Sequence, residues 1–159
     1  MADQRSDRDH QTRELAIRHL RLGWWAMLVF LSFGGVLELM HAFKVGWYLD
    51  VDHEARRLLW RLSHAHGTLL GVVNILFGLS VKVFDPPESW VRASPFLVAA
   101  TVLLPGSFFL GGFFVHGGDP GLGVLLAPLG GALLFVGVGL IVAGLEKRKG
   151  TGPAVDQDA

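Results

Sequence analysis

Four stretches of this chain, 22–43, 63–84, 94–115 and 122–145, are each long and apolar enough to cross a bilayer as a helix. A helical crossing takes about 20 mostly apolar residues. Inside hydrocarbon, every backbone N–H and C=O must find its partner within the protein. Little chain is left for anything else: a charged segment, 1–21, and a short polar tail, 146–159. The sequence therefore predicts an all-α integral membrane four-helix bundle. The turns "DPPESW" and "HGGDPG" are tight connections that suit an up-and-down order.

Basic residues in the short flanking segments set the expected orientation. Arg5, Arg8, Arg13, Arg18, Arg21, Lys82, Arg92, Lys147, Arg148 and Lys149 fall on one side, and only Lys44, Arg56, Arg57 and Arg61 on the other. Both termini are expected in the cytoplasm, with Trp24, Trp25 and Trp90 at the inner interface. Trp47, Tyr48 and Trp60 would then mark the outer one. Segment 1–21 reads as a cytoplasmic tail, either a short amphipathic helix on the membrane or a solvated one, and not as a secretory signal. In the one sizeable loop, Asp50 or Asp52 is a suitable N-cap for a helix that runs on into the second span. The Gly, Ala, Leu and Val bias points to a bacterial protein, and hence to the inner membrane.

Composition removes several function classes. The chain has no cysteine, which excludes disulfides, thiolate metal sites and iron–sulfur clusters. Fourteen basic residues balance fourteen acidic ones, so there is no nucleic-acid footprint. No nucleophile triad, phosphate loop or dinucleotide fingerprint is present.

The up-and-down order brings the intramembrane acid and four of the seven histidines to one depth, toward the outer face. Glu38 and His41 close the first span, and His64 and His66 open the second. His116 and Asp119 end the third. Helical spacing places Gly34, Glu38 and His41 on one stripe, His64, Gly67, Gly71, Asn74 and Gly78 on another, and Pro105, Phe109, Gly112 and His116 on a third. Small residues mark the faces where membrane helices approach one another. Glu38, His41, His64 and His116 are therefore expected to point inward, with His66 turned roughly 200° from His64 toward another neighbour. Gly123, Gly130, Gly137 and Gly144 recur every seventh residue and could pack on the same bundle or on a partner chain. His10, His19 and His53 lie in polar segments and read as surface residues.

An ionisable group within a span costs about 2.5–3.5 kcal/mol on insertion scales, so it is usually paired and often functional. Glu38 and His41 have the i, i+3 spacing by which bundles present Glu and His to metals. One acid with three imidazoles suits Zn, Cu, Fe or Mn better than Ca or Mg. The metal set is then Glu38, His41, His64 and His116, with His66 as a substitute ligand and Asn74 or Asp119 behind them. Two inward histidines could instead clamp a haem. The segment "HAHGTLLGVVNILFG" resembles histidine-bearing spans of the haem–copper oxidase and nitric oxide reductase large-subunit family. That resemblance implies His64 or His66 as an axial ligand to haem b, with His116 the further cofactor-binding candidate.

Two other readings stand beside this one. The same polar residues may serve as interhelical hydrogen bonds in a non-catalytic subunit or assembly factor of a larger membrane complex. Its glycine faces and the 50–60 region would then be docking surfaces for a membrane partner or a second copy. Proton relay or pH sensing is the third, and needs a deeper polar path than Ser32, Asn74, Thr101 and Ser107 offer.

Overall fold

The computed structural model describes residues 2–116 and 118–149. Its helices are α1 (Ala2–Ala42), α2 (Gly46–Leu49), α3 (Glu54–Val83), α4 (Glu88–Phe113) and α5 (Ala127–Lys149), with 3₁₀ turns at Val51–His53 and Leu122–Leu126. Among the described residues there is no strand, and all of these helices except α2 are long and apolar enough to cross a membrane.

The first helix departs most from expectation. No tail separates from it: α1 runs unbroken from Ala2 through the charged segment and on through the apolar one. It ends in a Schellman motif, with the Val45 N–H donating to the Met40 carbonyl at 3.0 Å and the Lys44 N–H to the His41 carbonyl at 3.1 Å. The left-handed position falls on Lys44, at φ 50°, where glycine is the usual occupant. Beyond it, the Asp50 carboxylate accepts from the Asp52 N–H at 3.4 Å and caps the 3₁₀ turn leading into α3.

The helices pack in series. α1 lies on α3, α3 on α4 and α4 on α5; α1 only brushes α4, and among the described residues the α1 and α5 backbones do not approach each other. The bundle is thus an open row of helices. Small residues set both outer seams. In the antiparallel α1–α3 seam, Gly78 meets Ala16 and Leu20, Gly71 meets Met27, and a Cβ added to Gly23 would stand 2.6 Å from the Gly71 carbonyl oxygen. In the α4–α5 seam the seven-residue glycine stripe faces α4: Gly123 lies on Leu110, Gly130 on Leu104, Gly137 on Leu97 and Gly144 on Ser89 and Trp90. The stripe therefore packs within its own chain.

The middle seam is made with hydrogen bonds. Arg56, Trp60 and Ser63 recur on one face of α3 and reach backbone carbonyls of α4. The Arg56 guanidinium donates to Gly112 at 3.1 Å, the Trp60 indole to Phe109 at 3.1 Å and the Ser63 hydroxyl to Pro105 at 2.9 Å. Two apolar clusters close the ends. One joins Ala16, Phe77, Val81, Trp90 and Leu97, and the other Leu37, Tyr48 and Trp60.

Candidate functional site

The most completely buried polar cluster centres on a residue the sequence reading assigned to the surface. His19 is 0% exposed. Its place follows from helical spacing: with Ala16, Gly23, Ala26, Phe30 and Gly34 it makes a 3-4-3-4-4 stripe on α1, and all but the half-buried Phe30 are buried. Its Nδ1 lies 2.7 Å from the Asn74 Oδ1 of α3, and its Nε2 lies 2.7 Å from the Ser94 hydroxyl of α4. The ring stands edge-on to Phe77 at 4.6 Å.

The surrounding donors assign the tautomer. The Asn74 amide donates to the Leu70 carbonyl and to the Thr101 hydroxyl, both at 2.8 Å, so its oxygen is the acceptor facing His19. The imidazole then carries its proton on Nδ1 and accepts from Ser94 at Nε2. Thr101 passes its own proton to the Leu97 carbonyl at 2.7 Å. Every member is satisfied with His19 neutral, and three helices are joined at one point. No ionised partner and no unused lone pair on the imidazole is left for a ligand.

The expected ligand set is dispersed, and among the described residues no three His, Asp or Glu side chains gather in a way that could hold a metal ion. Glu38 and His41 were expected to face inward, yet both are exposed. They lie beside the buried stripe of α1, which passes through Gly34 and Leu37. His41 takes part in the α2 end instead, 5.2 Å from the Tyr48 ring, with its Nε2 3.3 Å from Arg61. His116 is also exposed. It sits past the end of α4, where His116 and Asp119 exchange backbone hydrogen bonds.

His64 and His66 diverge as their spacing predicted. His64 lies over Gly34 on α1 and donates from Nδ1 to the Phe30 carbonyl at 2.7 Å. His66 donates from Nδ1 to the Leu62 carbonyl at 2.8 Å, and its ring rests 5.0 Å from Phe108 of α4. The pair cannot clamp one group between facing helices. An apolar groove of about 510 Å³ lies between α1 and α4, bordered by Trp25, Phe30, Phe33, Thr101 and Phe109, and no histidine lines it. His10 is exposed as expected and lies 3.6 Å from Glu14; the side chain of His53 is outside the described residues.

The fold and these sites define an all-helical chain with four helices apt to cross a membrane and its principal polar network turned to packing. Protein-family models, curated proteins and solved structures were all compared with it, and none matches.

Proposed function

We propose that this is a multi-pass protein of a bacterial inner membrane, with both termini in the cytoplasm, acting as a non-catalytic subunit or assembly factor of a larger membrane complex. One observation carries the reading: the polar side chains of the α1–α3–α4 network and of the α3–α4 seam end on protein partners, while both ends of the row stay apolar and uncovered. Along α1, Leu28, Val29, Leu31, Val36 and Leu39 are exposed, and along α5, Leu129, Phe135, Val138 and Val142. Faces of that kind are satisfied by lipid or by neighbouring helices. The test is extraction of the native membrane in a mild detergent, followed by sizing and composition. The reading expects the chain in a particle of fixed stoichiometry with other subunits, unaffected by His64→Ala or His116→Ala. A lone chain that never co-migrates with a partner would sink it.

A second reading, a redox protein holding haem b or a transition metal such as Cu, Fe or Zn, draws on one feature. His64, His66 and His116 each direct Nδ1 to a backbone carbonyl, which leaves Nε2 as the lone-pair nitrogen a metal would use. The remaining ligands would have to come from a second chain. An optical spectrum and elemental analysis of the purified protein decide this. A Soret band or a stoichiometric metal, lost on His64→Ala, would favour it over the first reading.

A further inference from the structure

The start of α3 breaks two electrostatic rules of helices. Arg56 and Arg57 stand in its first turn, at the positive end of the helix dipole, where cations are disfavoured. Arg57 and Arg61 are like charges at i, i+4, a spacing that destabilises an isolated helix. None of the three has a carboxylate partner. The ion pairs among the described residues are His10–Glu14 and Glu88–Arg92, both outside this region. The acids of this end, Glu38, Asp50, Asp52, Glu54 and Asp119, make no ion pair with the arginines. Instead, carbonyls and a ring hold the guanidinium groups in place. Arg56, 5% exposed, donates to the carbonyls of Gly112 and Trp47 and lies 4.1 Å above the Trp47 ring. Arg57 uses one nitrogen on the carbonyls of Tyr48 and Asp50, at 3.2 and 2.8 Å. Arg61 is exposed and reaches His41 with one nitrogen.

We propose that this end carries an anion site: Arg57 and Arg61, with the fixed charge of Arg56 behind them, take a phosphate group. Two guanidinium groups one turn apart on a helix face suit a tetrahedral oxyanion, which accepts several N–H donors at once. A bound phosphate also removes the repulsion between the two arginines. Trp47, half-exposed beside Arg56, is a residue type that settles at the headgroup level of a bilayer. A phospholipid headgroup and a free phosphate present the same chemistry, and the experiment separates them.

Protein purified in maltoside and freed of phosphate is melted alone, with inorganic phosphate against chloride at equal ionic strength, and with phosphatidylglycerol against phosphatidylcholine. The midpoint is expected to rise by several degrees, and the Arg57→Gln/Arg61→Gln variant is expected to lose most of that rise. Should the double variant fail to fold, Arg61→Gln, which gives up the contact with His41, takes its place. A rise with phosphatidylglycerol alone assigns the site to a headgroup, one with phosphate alone to the free ion, and one with both to the phosphate group itself. No rise in the unaltered protein beyond the chloride and phosphatidylcholine controls, or an equal rise in the variant, overturns the site. The headgroup arm rests on the membrane reading, whereas the phosphate arm does not. Membrane fractionation tests that reading separately, so the two can fail independently.

Discussion

Asn74 is the residue on which three helices depend, since it gives an acceptor to α1 and donors to α3 and α4. Removing its amide leaves His19 Nδ1–H and the Thr101 oxygen buried without it, at about 1–3 kcal/mol for each unsatisfied group. Asn74→Ala and His19→Ala should each lower the denaturation midpoint, and the double variant should lose less than the sum. A coupling energy of about 0.5–3 kcal/mol in that cycle is expected; additivity would show that the two side chains act apart. Tyr48→Phe should do the opposite. The hydroxyl it removes is buried without a hydrogen-bond partner, so stability should hold or rise, again read from the midpoint. Residue-level legibility was uneven for a physical reason. Asn74 stood out because it interrupts an apolar helix. His19 was hidden by charged neighbours such as Arg18 and Arg21, although its spacing to Gly23 and Ala16 placed it on the packing stripe. Glu38 shows the converse error, because spacing to one glycine does not decide which of two adjacent faces is covered.

At the level of the helices, length and hydropathy located the four long elements, and the capping chemistry before α3 was readable from Asp50. The start of α1 was not, because a mixed-charge segment carries no apolar period of its own and is helical here as a continuation of the span. The glycines sort into two kinds with opposite expected responses. Gly23→Ala drives a methyl against the Gly71 carbonyl and the Ile75 backbone, and overpacking of that sort costs about 1–3 kcal/mol. Gly139→Ala meets nothing within 4 Å and should be neutral or should gain up to about 1 kcal/mol in helix propensity. Thermal melts of the two variants side by side check this. Lys44→Gly, at the left-handed position that ends α1, is expected to stabilise by about 0.5–1 kcal/mol in the same assay.

For the molecule as a whole, the absence of native cysteine makes orientation directly measurable. Ser6→Cys and Asp119→Cys lie toward opposite ends of the long helices and should react with a membrane-impermeant thiol reagent from opposite sides of intact cells, with only Asp119→Cys labelled from outside. Labelling of both from one side would refute three crossings between them. The unbroken first helix adds a mechanical consequence. Its 41 residues span about 61 Å at 1.5 Å each, roughly twice the hydrocarbon thickness of a bilayer. The part before His19 is about 26 Å long and is moored to the ends of α3 and α4 by the buried His19 together with Ala16 and Leu15. Helices tilt when a bilayer thins, so in lipid a lean of about 10° would carry the far end of this arm roughly 4–5 Å sideways.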